Sequence, residues 1–261
     1  MPISGAWQNE YESVMTLAEE ADGFLHGQYR SGIGSTGTCL VAGYGGTSGP
    51  GQGTPLALAI SWRSIEPGAP DPRRHWVSSL AGQAFLDCTG LTLLHQLVAT
   101  AASPEIAEPG THLGELNFRR IGAASPPASR TLLAAHLGET IRTAAADPVE
   151  GVWRSTDDDA ATLHLAVRNP HAGIVVGTLT DRRGQASLYG FADVDASRTP
   201  ARQQSLALAG RYGDSAATAT LAGCLDLERG RLTLSALLNR GTSVDTRYAQ
   251  TIVEGRHFKP A

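Results

Sequence analysis

A long internal repeat is the feature that most constrains how this 261-residue chain can fold. The segment GVWRS at Gly151 echoes GAWQN at Gly5, and LAGCLDLERGRLTL at Leu221 echoes LAGQAFLDCTGLTL at Leu80. Four landmarks recur at a separation of 140 to 150 residues: Trp7 with Trp153, Leu56 with Leu206, Leu80 with Leu221, and Phe118 with Phe258. A repeat of this size is as long as a whole domain. The sequence therefore predicts two copies of one domain, over residues 1–121 and 149–261, with a linker over 122–148.

Each copy has the pattern of an all-β domain. Eight short segments with β-type alternation follow one another in each half, separated by turn signals such as Asp22-Gly23 and Thr89-Gly90. Eight antiparallel strands can close into a barrel whose mouth holds one small ligand. We expect two tandem eight-stranded antiparallel up-and-down barrels. In the linker, apolar residues at helical spacing predict a short helix over 130–145.

Composition argues against several classes of partner. The net charge is −4 and the isoelectric point is near 6.0, so the chain shows no basic footprint for nucleic acid or for an anionic membrane surface. No apolar run approaches the roughly 20 residues of a membrane-spanning helix. Three cysteines are an odd number, which favours a reducing compartment without disulfides. We expect a cytoplasmic protein because no leader precedes the first strand, although a secreted chain that had lost its leader would look the same.

Polar side chains recur at strand spacing between Gly5 and Gly34. Asn9 lies two residues after Trp7, Ser13 follows, and Tyr29, Ser31 and Ile33 come at successive steps of two. A step of two keeps side chains on one face of a strand. The pattern predicts a polar cradle with apolar walls inside the first barrel.

The order and spacing of these residues resemble the avidin and streptavidin family. The resemblance covers about Gly5 to Ile121 and extends through PLALAISWRS with Trp62, RRHWVSSLAGQAFLDCTG with Trp76, and LGELNFRR. It implies that Asn9, Ser13 and Tyr29 donate to a ureido carbonyl, and that Trp62 and Trp76 stack on the ligand. The expected ligand is biotin or a related cyclic urea or amide, with no cofactor or metal and no catalytic residue. The resemblance also implies an internal pseudo-dimer of the two barrels and allows a homodimer. The implied ligand-binding set is Asn9, Ser13, Tyr29, Ser31, Ile33, Trp62, Arg74, Trp76 and Leu116.

Several positions depart from the family pattern. Leu116 stands where the family has an acidic or amide acceptor, and the seventh-strand tryptophan position is Leu97 or Val98. The tryptophan lent by a neighbouring subunit falls within Glu108-Pro109-Gly110. A buried donor without its acceptor costs about 1–3 kcal/mol, so binding should be weaker than in typical avidins. Arg73, Arg74 and His75 form either a site for a carboxylate or phosphate or a solvated loop.

The second copy has lost the cradle. The counterparts of Asn9, Tyr29 and Ser31 are Ser155, Leu179 and Asp181, while Tyr212 replaces Trp62. This half is either structural or a pocket for another molecule, in which Asp181, Tyr212 and His257 could face inward together. The histidines show no metal-binding spacing.

Two functions fit this sequence. The first is a binding module for biotin or a cyclic urea or amide. The second is a repurposed barrel that acts as a cofactor-independent cyclase or isomerase on a small metabolite, using preorganised donors and pocket shape.

Overall fold

The structure is a computed structural model that describes residues 3–32, 37–65, 75–103, 106–123, 146–157, 160–196, 202–213, 216–243 and 250–261. The helix expected over 130–145 lies outside these residues.

The first half of the chain forms a closed barrel of eight antiparallel strands. Each strand pairs with the next, and the last pairs with the first over Asn9 and Phe118. The strands are β1 (Gly5–Asn9), β2 (Val14–Glu19), β3 (Phe24–Arg30), β4 (Thr38–Gly45), β5 (Thr54–Ser64), β6 (Trp76–Ala84), β7 (Gly90–Ala99) and β8 (Gly110–Gly122).

The second half forms another closed barrel with the same up-and-down order. Its strands are β9 (Gly151–Ser155), β10 (Thr162–Asn169), β11 (Ile174–Asp181), β12 (Gly184–Ala192), β13 (Gln203–Tyr212), β14 (Ala217–Asp226), β15 (Arg231–Arg240) and β16 (Thr251–Pro260). The predicted fold class, all-β with two tandem eight-stranded antiparallel barrels, is confirmed.

The repeated tryptophans anchor the two barrel cores in the same way. Trp7 is fully buried and Trp153 nearly so. The indole N–H of Trp7 donates to the carbonyl of Ile3 at 3.1 Å, and that of Trp153 donates to the carbonyl of Val149 at 2.9 Å. Each tryptophan thus places its ring in the core while its one donor is satisfied by the chain just before the first strand.

The two barrels pack against each other through β4–β7 and β12–β15. Residues from both contribute to one buried apolar cluster, which includes Val77 and Val98 from the first barrel and Phe191 and Ala222 from the second. Residues that alternate with the inward-facing ones also make polar contacts between the barrels. Gln96 of β7 donates to the carbonyl of Ala222 at 3.2 Å. The barrels therefore share a buried interface within one chain.

The three cysteines are free thiols. In the described part of the chain, no helix is long and apolar enough to cross a membrane.

Candidate functional site

Three of the residues expected in the polar cradle lie close together in the first barrel. Asn9, Ser13 and Tyr29 are all buried. The Asn9 carbonyl oxygen accepts from the backbone N–H of Ser13 at 2.9 Å and of Tyr11 at 3.1 Å, which fixes the carboxamide over the turn between β1 and β2. Its Nδ2 then donates to the Tyr29 hydroxyl at 3.4 Å. The turn geometry therefore aims one amide donor at the phenol.

The Tyr29 hydroxyl is held as a neutral donor. Burial raises the pKa of Tyr29, while hydrogen bonds from Ser13 and Asn9 partly oppose that rise. The phenol oxygen accepts the hydrogen bond from Asn9 Nδ2, so the Tyr29 hydroxyl keeps its own hydrogen as a donor. Incoming bonds polarise an outgoing one, so this hydrogen is a strengthened donor. Such a donor suits a carbonyl oxygen.

Two tryptophans stand beside the cradle. The rings of Trp62 and Tyr29 meet edge to face, with centroids 5.4 Å apart. Trp76 packs in an apolar cluster with Trp62, Leu97, Ala99 and Ile106. The structure therefore brings Trp62 and Trp76 into one cluster, and Trp62 also contacts Tyr29. Ile106 was not anticipated as part of this wall.

A serine and a histidine complete this wall, and the sequence analysis missed both. Trp62 Nε1 donates to Ser78 Oγ at 2.8 Å, and His95 Nε2 lies 2.9 Å from the same oxygen. Burial lowers the pKa of His95 from 6.5 to about 4, so the imidazole is neutral at physiological pH. Ser78 lies two residues after Trp76, and His95 two before Leu97, so period-two alternation from those landmarks would have placed both on the inner face.

The other expected site residues have mixed outcomes. Ser31 lies just past β3 and is partly exposed. Leu116 pairs with Leu93 on β7 and belongs to the same buried cluster as Tyr29. Ile33 and Arg74 lie outside the described residues, as does Arg73. On the seventh strand, Leu97 packs in the cluster with Trp62, His95 reaches Trp62 through Ser78, and Val98 belongs to the cluster between the barrels.

His75 belongs to the contact between the barrels. Its Nδ1 lies 2.6 Å from Oδ2 of Asp193 in the second barrel, and both side chains are buried. The imidazole is already paired with an internal carboxylate, so the interpretation of His75 as part of a ligand-binding or solvated cluster was wrong.

The second barrel has apolar or small residues where the first has polar ones. Strand pairing defines which residues of the two barrels are equivalent. Ser78 pairs with Leu97 in the first barrel, as Ala219 pairs with Leu238 in the second. Likewise, His95 pairs with Leu80 in the first barrel, as Ala236 pairs with Leu221 in the second. Ala219 and Ala236 thus replace Ser78 and His95, and Leu179 replaces Tyr29. The counterpart of the first cradle is filled by hydrocarbon.

A charged network lies at the mouth of the second barrel. The Asp181 carboxylate is fully buried and accepts from Arg256 at 2.9 Å, from Tyr212 at 3.0 Å and from Arg183 at 3.3 Å. Arg183 and Arg256 also hydrogen-bond to Glu254. Burial and the Asp181 charge raise the pKa of Tyr212, so its phenol stays protonated and donates to Asp181.

The expected grouping of Asp181, Tyr212 and His257 is partly wrong. Asp181 and Tyr212 do meet, but His257 is exposed and its Nδ1 lies 3.2 Å from Asp157. Its neighbour Arg256 faces inward instead. A step of one residue along a strand exchanges the inner and outer faces.

Comparison with family models and with curated proteins found no match. In the described ranges, no group of three or more His, Cys, Asp and Glu residues is arranged to hold a metal ion. The fold itself is compatible with a small-molecule binding barrel, because barrels of eight closed strands can hold one small ligand.

Proposed function

We propose that the first barrel is an avidin-like binding module for biotin or a related cyclic urea or amide. The observation that carries this proposal is the Tyr29 hydroxyl, which receives a hydrogen bond from Asn9 and stands beside Trp62. Its remaining hydrogen offers a donor to a ligand carbonyl. Asn9 Nδ2 has a second hydrogen, so two donors serve the same acceptor.

The walls of the pocket suit a flat apolar ring. Trp62 and Trp76 provide large aromatic surfaces within one cluster, and aromatic side chains dominate the energetics of such contacts. The Ser78–His95 pair adds a polar group on the wall that also holds Trp62. A ligand with a carbonyl at one end and a compact ring would match this arrangement.

Affinity should fall below that of typical avidins. Leu116 offers no acceptor to a ring N–H, and an unpaired buried donor costs about 1–3 kcal/mol. This loss corresponds to roughly one to two decades in the dissociation constant. Leu97 or Val98 at the position of a further family tryptophan removes apolar contact area as well.

The test is calorimetric titration with biotinamide, a neutral ligand, against wild-type protein and Tyr29→Phe. We expect one site per chain, with binding weakened by about 1–2 kcal/mol in Tyr29→Phe because one carbonyl donor is lost. Tyr44→Phe is the matched control, since Tyr44 lies on β4 against Phe24 rather than in the cradle. Binding that Tyr29→Phe leaves unchanged, or two equivalent sites per chain, would reject the proposal.

The Ser78–His95 hydrogen bond favours one alternative, a cofactor-independent cyclase or isomerase. A neutral imidazole beside a hydroxyl can exchange a proton with a bound metabolite. Mass spectrometry of small-molecule extracts incubated with wild-type protein and with Ser78→Ala would detect such an activity. Consumption of a compound by the wild type alone would favour the enzyme; equal profiles would favour the binding module.

A further inference from the structure

A cavity of about 490 Å³ lies at the mouth of the second barrel, away from the cradle of the first. It is lined by the ends of β13, β14, β15 and β16. Neighbouring residues of a strand face opposite sides, and both Leu238 and Asn239 line the cavity. The cavity therefore extends around the strand ends. Its volume lies in the range of small-molecule sites.

The charged residues that line this cavity are both arginines, Arg183 and Arg240. Arg183 is partly exposed and is backed by Asp181 and Glu254, which also hold Arg256. Arg182 makes a weaker contact with Glu254 at 3.4 Å. Arg240 is exposed and forms no ion pair with another described residue.

Among the described residues at this mouth of the second barrel, positive charges outnumber negative ones, whereas the whole chain has a negative net charge. The described residues of the network and the cavity contribute four guanidinium groups, those of Arg182, Arg183, Arg240 and Arg256. They contribute two carboxylates, those of Asp181 and Glu254. Four positive charges against two negative ones leave an excess of two, in a chain whose net charge is −4. Local charge of this kind concentrates anions.

Three buried polar atoms on the cavity-lining residues lack a hydrogen-bond partner among the described residues. They are Thr218 Oγ1, Asn239 Oδ1 and Thr251 Oγ1. Asn239 pairs with Thr218 on one side and Thr251 on the other, so the three form a row across β14, β15 and β16. These atoms are buried, and Asn239 donates through Nδ2 to the carbonyl of Gly82, so the row lies in the wall between the two barrels and not on the open surface of the cavity.

We propose that this cavity is a second ligand site, for a small organic carboxylate with an apolar body. Arg240 and Arg183 bind the carboxylate through charge-assisted hydrogen bonds. Leu238, Ala217 and the ring of Tyr212 contact the apolar body. The site is independent of the ligand proposed for the first barrel.

The test is titration of the full chain with hexanoate at low ionic strength, with hexanamide as the uncharged analogue of the same shape. We expect hexanoate to bind and hexanamide to bind at least tenfold more weakly. Arg240→Gln should weaken hexanoate about tenfold, since a charge-assisted hydrogen bond is lost. Arg231→Gln is the matched control: Arg231 is exposed at the opposite end of the same strand, β15. Added salt should weaken binding to the wild type.

Three outcomes would overturn this site: equal affinity for hexanoate and hexanamide, no difference between Arg240→Gln and Arg231→Gln, or no binding of hexanoate at millimolar concentration. Tyr29→Phe separates the two barrels. Loss of hexanoate binding in Tyr29→Phe but not in Arg240→Gln would place the anion in the first barrel. Unchanged hexanoate binding in Tyr29→Phe, with biotinamide weakened, would support both sites at once.

Discussion

At the scale of single residues, the two barrels differ at a few inward positions. Tyr29, Ser78 and His95 line the first interior, where Leu179, Ala219 and Ala236 line the second. Burying a polar group costs free energy unless the group is hydrogen-bonded. In the first barrel, Asn9 donates to the Tyr29 hydroxyl and Trp62 donates to the Ser78 hydroxyl. The second barrel avoids this free-energy cost because its equivalent residues have apolar side chains. One fold thus carries polar inward-facing residues in one copy and apolar ones at the equivalent positions of the other.

His95 makes the stability of the protein depend on pH. Its pKa is lowered from 6.5 to about 4, so between these values the unfolded chain takes up a proton that the folded chain does not. The contribution of neutral His95 to the stability of the folded protein is therefore fully present above pH 6.5 and is lost as the pH falls towards 4. The free energy of unfolding should drop by on the order of 1–3 kcal/mol from this residue.

Urea unfolding at pH 7, 5.5 and 4 measures this effect. His95→Gln should remove that part of the pH dependence, whereas His164→Gln, an exposed histidine on β10, should retain it. Parallel pH profiles for the wild type and His95→Gln would show that His95 is not buried in its neutral form.

At the scale of strands, glycines mark where neighbouring backbones approach most closely. A Cβ added to Gly82 on β6 would lie 2.0 Å from the carbonyl oxygen of Thr92 on β7. In the second barrel, a Cβ added to the equivalent Gly223 would also lie 2.0 Å from a carbonyl oxygen, that of Thr233. The recurrence of this approach in both copies follows from the same strand pairing at the same point of the barrel wall.

Gly82→Ala should therefore lower the free energy of unfolding by at least about 2 kcal/mol, because the backbone on one side of the new methyl group must move. The control is Gly114→Ala on β8, where an added Cβ meets no atom within 4 Å. That change should stay within about 0.5 kcal/mol of the wild type. Chemical denaturation of both variants gives the comparison, and similar losses in both would contradict the close approach at Gly82.

At the scale of the whole molecule, polar pairs buried between the barrels add to the shared apolar cluster. His75 and Asp193 form one such pair, and Arg63 reaches Asp195 at 2.8 Å nearby. At the other end, Gln83 and Thr242 hydrogen-bond to each other twice through their side chains, and Asn239 donates to the carbonyl of Gly82. Contacts at both ends fix how one barrel lies on the other.

Asp193→Asn should lower the free energy of unfolding by about 3 kcal/mol, because it leaves the buried His75 without its carboxylate partner. The matched control is Asp226→Asn. The Asp226 carboxylate accepts hydrogen bonds from the backbone N–H groups of Glu228 and Arg229 in a surface turn. The Asp193 carboxylate likewise accepts a hydrogen bond from the backbone N–H of Asp195. Equal losses in the two variants, measured by urea unfolding, would mean that the turn rather than the inter-barrel pair stabilises the protein.

The sequence by itself determined the two barrels and much of the first cradle. The repeat and the period-two alternation can both be read directly from the sequence. Within each strand, the alternation of apolar and polar residues indicates which side chains face inward. The alternation indicates that Asn9 and Tyr29 face inward, whereas only the resemblance to the avidin family implied that Ser13, Trp62 and Trp76 belong with them. The fold class could be predicted from the repeat and the alternation.

Only the tertiary structure decided which distant side chains meet. Ser78 and His95 are 17 positions apart, Asp181 and Arg256 are 75 apart, and His75 and Asp193 are 118 apart. Their contacts depend on strand register and on how the barrels pack, and an error of one residue moves a side chain to the opposite face. That is why Arg256 rather than His257 reaches Asp181, and why His75 contacts the second barrel.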